Sequence, residues 1–283
     1  MENFRELLNR HAFAISLLIV AGYFVVFAYP AIHSSKAFGH GESVSEVGSM
    51  ISQLPLETGL VVSVLALIGI LGWWRGAGFR KVNRPGLKFA IAPAIFTGLL
   101  LGVGAIFAEV NGSSIWQIVG VSHLLVLLLV TLFVGIFEEC LFRGILFRGA
   151  GTKFGPLTVV LITAVIFGSM HYVNFIGGQA LGETTVQVIH AAIAGFMYGM
   201  LRLMIGAIWP VILLHGFWDA TVSTIGATFA GIAESPAAAT ATETAAGINP
   251  GSFVIMLPEL LYGLFLIWSW SRWNENQKVD FFG

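Results

Sequence analysis

An ionisable side chain inside an apolar run is costly in a bilayer and marks a functional candidate. In this chain those residues are Glu138, Glu139, Arg143, His171, His190, His215, Asp219 and Glu259, and six of them fall into three clusters. Glu138-Glu139-Cys140-Leu141-Phe142-Arg143 puts Glu139 and Arg143 at i and i+4, on one helix face and in ion-pair range. Glu138 is turned about 100° from Glu139. Two adjacent carboxylates in low dielectric cannot both ionise cheaply, so Arg143 can hold Glu139 ionised and leave Glu138 free to exchange a proton. Phe167-Gly168-Ser169-Met170-His171 places an imidazole one turn after Phe167. His215-Gly216-Phe217-Trp218-Asp219 sets an imidazole and a carboxyl on one face. A protonatable carboxyl beside imidazoles is equipment for acid–base catalysis or a proton relay. Glu138, His171 and His215 are also the donors of a His2Glu zinc set. The plainer readings are a structural ion pair, an interfacial His and a local His–Asp hydrogen bond. A second buried Glu beside the ion pair is what they leave unexplained.

The elements that carry these clusters follow from composition. Of 283 residues, 57% are hydrophobic and 10% charged, against about 25% charged in a soluble domain. The chain is therefore read as an all-α, polytopic transmembrane helical bundle. A span needs about 20 mostly apolar residues. Eight runs qualify or nearly so: Phe13–Ile32, Gly59–Trp74, Leu87–Ala108, Ile118–Phe147, Pro156–Tyr172, Thr184–Met204, Ala207–Phe229 and Ser252–Trp270. The second and fifth are short. The first is too long for a signal-peptide core, and no small-residue cleavage site follows it, so it reads as a retained helix.

Lys and Arg stay cytoplasmic. Counted with the adjoining helix ends, they cluster before the first run and at the connections after the second, fourth, sixth and eighth, so that 13 of the 14 share one face and only Lys36 lies opposite. That alternation supports eight spans with both termini cytoplasmic. The segments His33–Thr58 and Gly231–Gly251 read as polar non-cytoplasmic loops. Were the fourth span to end at Phe137, Glu138 would sit at the rim. A span over Leu124–Phe147 puts it roughly 14 Å deep, and the apolar residues after Arg143 favour this deeper register. A break at Gly168 would let His171 reach the same level.

EECLFRG, FGSMH and HGFWD resemble the three motifs of the CPBP family (CAAX proteases and bacteriocin-processing enzymes, or ABI family), whose pattern is EExxxR, FxxxH and Hxxx(N/D). The resemblance covers Val121–Ala230. It implies a four-helix intramembrane protease core; the apolar runs set that core within a single membrane domain, 1–283, with additional helices over 1–120 and a polar loop and last helix over 231–283. It also implies peptide-bond hydrolysis. Carried over, Glu138 and His171 bind and activate the attacking water, and Glu139 and Arg143 support the site. His215 and Asp219 line the oxyanion side, Asp219 either donating when protonated or orienting His215. The family leans to a glutamate-activated water with no cofactor. Zinc, on Glu138, His171 and His215, is the alternative. The implied partners are the lipid bilayer and a peptide or membrane-protein substrate, prenylated ones included.

No basic excess points to nucleic acid, with Lys+Arg at 14 against Asp+Glu at 15. Cys140 is alone, which excludes a disulfide framework, and a thiol among apolar side chains is inert. His190 and Glu259 match no motif. Gly98-x-x-x-Gly102 and Gly195-x-x-x-Gly199 read as helix-contact stripes. The rival functions are a proton-coupled membrane transporter, against which no paired inverted halves are found, and a catalytically silent scaffold or immunity protein. Short loops suit a prokaryotic plasma membrane.

Overall fold

Backbone polar groups in hydrocarbon must be satisfied within the chain, which leaves helices or closed barrels. The computed structural model describes residues 4–33, 47–112, 114–118, 120–233, 251–274 and 278, and no strand occurs among them. Eight long helices organise these residues. They are α1 (Ala12–His33), α2 (Val47–Leu71), α3 (Ile91–Val110), α4 (Val121–Ala150), α5 (Pro156–Met170), α6 (Leu181–Ile205), α7 (Trp209–Ala233) and α8 (Gly251–Ser271). The first six lie in runs long and apolar enough to cross a membrane. The last two, of 25 and 21 residues, coincide with the seventh and eighth expected runs.

Two boundaries differ from the sequence reading. The second run is not short: α2 has 25 residues and begins at Val47, inside the segment read as a polar loop. Ser52, Gln53 and Glu57 lower its hydropathy but do not break a helix. The remaining loop residues, 34–46, and most of the second polar loop, 234–250, lie outside the described residues. The break near the fifth span falls at His171 instead of Gly168. There α5 ends and a short helix, Tyr172–Ile176, takes over.

The helices pack around α4 and α6. α4 lies between α2 and α7, α3 rests on α7, and α6 is flanked by α5 and α8. α4 and α7 cross in backbone contact. A Cβ on Gly135 would lie 3.1 Å from the Ile212 carbonyl oxygen, and one on Gly216 3.1 Å from Leu132 Cα. That crossing sits one turn from Glu138-Glu139 on one side and beside His215 on the other. Gly168 lets α5 approach α6 in the same way, since a Cβ there would fall 2.6 Å from the Val188 carbonyl oxygen. Gly195 and Gly199 face Phe167 and Val160 of α5, as a contact stripe should. Gly98 and Gly102 do not: among the described residues nothing lies within 4 Å of a Cβ at either. Their stripe faces outward, and small residues alone do not say whether a helix or lipid covers them.

α4 is helical through Glu138 and on to Ala150, so Glu138 lies in the interior of a span and not at its end. From Cys140 to Leu146 the helix widens to the π form, and all seven residues there are buried. Such wide turns are frequent at functional sites. The α6 terminus is tied to the segment after α2. Arg202 is fully buried and donates to the Gly206 and Gly76 carbonyls at 2.6 and 3.0 Å.

Candidate active site

The two adjacent glutamates of α4 have opposite environments. The side chain of Glu139 is 0% exposed, whereas that of Glu138 is 24% exposed. Arg143, also 0% exposed, donates from Nη1 to Glu139 Oε1 at 2.8 Å. The rest of its guanidinium makes no hydrogen bond: Nε and Nη2 are buried without a partner. Its carbon lies instead 4.4 Å from the centre of the Phe167 ring and 5.9 Å from that of Tyr198. A desolvated cation gains from aromatic faces, so Phe167 gives the guanidinium a surface where polar partners are lacking. The Phe of the second cluster thereby acquires a physical role that its spacing alone does not reveal.

Glu139 reaches further. His215 Nδ1 lies 2.8 Å from Glu139 Oε1. A carboxylate paired to Arg143 only accepts, so Nδ1–H is the donor. His215 Nε2 then faces two other carboxyl groups, Glu138 Oε2 at 3.4 Å and Asp219 Oδ2 at 3.3 Å. The ring stacks on Tyr198, with centroids 5.5 Å apart and planes 20° off parallel. Asp219 therefore sits at Nε2, one turn along α7, while the Nδ1 side is held across the helix crossing by Glu139.

His171, at the break after α5, donates from Nδ1 to the Phe167 carbonyl at 3.2 Å. That leaves Nε2 as the ring's acceptor. Phe167 stands edge-on to both imidazoles, 5.3 Å from His171 and 6.1 Å from His215.

Glu138, His171, His215 and Asp219 line one cavity of about 270 Å³. Glu139 and Arg143 lie behind it. A second cavity of about 270 Å³ shares Glu138, Phe167, His171 and Gln187 with the first, and its other walls are mostly apolar. The six residues of the three clusters are thus brought to one place, four on the cavity wall and Glu139 and Arg143 behind it. Cys140 is fully buried and lines neither cavity. Among the described residues no group of three or more His, Cys, Asp and Glu is arranged to hold a metal ion.

The sequence reading left His190 and Glu259 without a role. Here His190 Nε2 lies 3.0 Å from Glu259 Oε2, joining α6 to α8, and His190 lines the same cavity. Neither residue has a motif partner at helical spacing, so only the packing of α8 on α6 reveals the pair. Nothing in the sequence marks Gln187 or Tyr198: an uncharged amide and a neutral phenol do not stand out in a span as a carboxylate or an imidazole does.

Residues 120–221 match the family model described as Rce1-like, type II CAAX prenyl endopeptidase. Comparison with curated proteins and with solved structures gives no match. The matched segment runs from the start of α4 to two residues past Asp219, and so includes every residue of the three clusters and both helix crossings. That four-helix core, residues 120–221, belongs to the CPBP family of CAAX proteases.

Proposed function

We propose that the chain is an intramembrane endopeptidase that hydrolyses a peptide bond with a water activated by Glu138 and His171, with no bound metal. The observation that supports this most is the division of the two glutamates. Glu138 is reachable from the cavity beside His171, while Glu139 is sealed and committed to Arg143 and His215.

In this reading the water lies between Glu138 and His171 Nε2. Glu138 takes one of its protons as the oxygen attacks the carbonyl carbon. The carbonyl pair moves onto oxygen, which His215 meets with Nε2–H. Both nitrogens of His215 face carboxylate oxygens at rest, a geometry suited to a ring carrying both protons. A preset donor of that kind stabilises the charge as it forms. When the C–N bond breaks, the departing nitrogen takes the proton through His171, and the new carboxyl keeps the water oxygen. Glu139 and Arg143 hold the ring in place throughout. Asp219 accepts from Nε2 until the substrate carbonyl takes its position.

The substrate is a peptide or membrane protein reached within the bilayer, and the family's description extends this to prenylated chains. The basic residues favour an eight-span arrangement with both termini cytoplasmic, in a plasma membrane of prokaryotic type. The test compares protein termini in membranes of cells making the wild type, Glu138→Ala or His171→Ala. New termini are expected with the wild type alone, while all three proteins insert equally. Termini that persist in both variants refute the mechanism. Solute flux that depends on Glu138, without new termini, favours a transporter.

A further inference from the structure

The two cavities beside Glu138 meet at Glu138, Phe167, His171 and Gln187, the residues that line both. A peptide extended from one cavity into the other passes these four residues, Gln187 among them. Gln187 is on α6, half-buried, and its amide is oriented. Asn174 Nδ2 donates to Gln187 Oε1 at 2.9 Å. With its oxygen committed to that bond, the amide is left with an NH2 that makes no hydrogen bond among the described residues.

Asn174 is itself well held. Its backbone N–H donates to the His171 carbonyl at 3.0 Å, and its carbonyl accepts from Gln179 N–H at 2.9 Å. Gln179 Oε1 in turn accepts from Thr184 Oγ1 at 2.9 Å. The short helix after His171 and the start of α6 are thereby tied together, with the Gln187 amide between them. Peptide carbonyls taken out of water need donors, and this NH2 is one that the catalytic scheme leaves unused.

We propose that Gln187 is a substrate-binding residue: its amide NH2 donates to a backbone carbonyl of the peptide lying across the junction of the two cavities, and Asn174 sets that orientation. The proposal rests on the endopeptidase reading. The bond is present in bound substrate and transition state alike, so its loss raises KM and leaves kcat nearly unchanged.

Four proteins in lipid nanodiscs test this: wild type, Gln187→Glu, Gln187→Met and Asn174→Asp, with a quenched-fluorescent peptide carrying a prenylated cysteine near its C-terminus. Gln187→Glu keeps the acceptor for Asn174 but has no NH2 to offer. Asn174→Asp is the informative second change, because a carboxylate there accepts and so turns the Gln187 amide round, presenting oxygen to the groove. Each variant is expected to raise KM roughly three- to tenfold, the size of one neutral hydrogen bond, with kcat within about twofold in Gln187→Met, which adds no charge to the cavity of Glu138, and with unfolding temperatures close to wild type. Wild-type KM in Gln187→Glu and Asn174→Asp overturns the proposal alone. A fall in unfolding temperature with KM unchanged also overturns it, since that marks a purely structural tie. No cleavage by the wild type overturns the endopeptidase reading, and the Gln187 proposal with it.

Discussion

Replacing Arg143 by Met tests whether the buried ion pair is what holds His215 in place. The guanidinium is 0% exposed, bonds Glu139 at 2.8 Å and lies 4.4 Å from the centre of the Phe167 ring. A hydrogen bond to a charged group contributes about 1.5–3 kcal/mol, and a desolvated cation–π contact about 2 kcal/mol. Met fills much of the same volume, so little packing is lost. The sum agrees with the about 3–5 kcal/mol expected when one partner of a buried pair is removed. Most of that cost is the carboxylate left behind. Glu139 Oε2 already has no hydrogen-bond partner, and Oε1 would keep only His215. Adding Glu139→Gln to Arg143→Met removes this stranded charge and still offers an oxygen to His215 Nδ1. The double variant is therefore expected to be more stable than Arg143→Met alone. Equilibrium unfolding in mixed micelles measures all four corners of the cycle. Single effects that add to within about 0.5 kcal/mol, or an Arg143→Met cost below about 1 kcal/mol, would show that the pair does not brace His215.

The helix crossing makes a second prediction. Gly135→Leu has no room against the Ile212 carbonyl and should cost about 1–3 kcal/mol by overpacking, with a fall in kcat as α7 carries His215 away from Glu138. Gly98→Leu, with nothing within 4 Å, serves as the control and should stay within about 0.5 kcal/mol of wild type. Cleavage should also withstand o-phenanthroline. A loss that added zinc restores would instead assign a metal to Glu138, His171 and His215 and replace the water-activation scheme.

Much of the fold was legible because bilayer thickness fixes how long an apolar run must be, and each of the eight runs coincides with a long helix. What hydropathy could not supply was the polar start of α2, since Gln53 and Glu57 lower the mean without ending a helix. Nor could it say what faces a stripe of small residues. Gly98-x-x-x-Gly102 and Gly195-x-x-x-Gly199 have the same spacing, yet only the second meets another helix. Such a stripe permits close approach, but the rotation of its helix decides whether a neighbour is there. That rotation is a property of the assembled bundle.

The same distinction runs through the site. Glu139–Arg143 and His215–Asp219 are i,i+4 pairs, fixed by helix geometry alone, and both contacts are present. The contact that organises His215 is not local. Glu139 lies 76 residues from it in sequence, and the two meet because Gly135 and Gly216 allow α4 and α7 to touch. Sequence spacing offered Asp219 as the residue to orient His215, since it was the only carboxyl within one turn. The structure gives Nδ1 to Glu139 and leaves Asp219 at Nε2, the face open to the cavity. This division accounts for the tolerance of the family pattern at the position of Asp219. The carboxylate at Nδ1 is backed by a buried cation and has no neutral substitute of equal strength. At Nε2 an Asn oxygen can accept as an Asp oxygen does, and an Asn NH2 would add a donor beside the carbonyl. On the proposed reading, the motif is thus strict where the charge is sealed and permissive where the side chain faces the cavity.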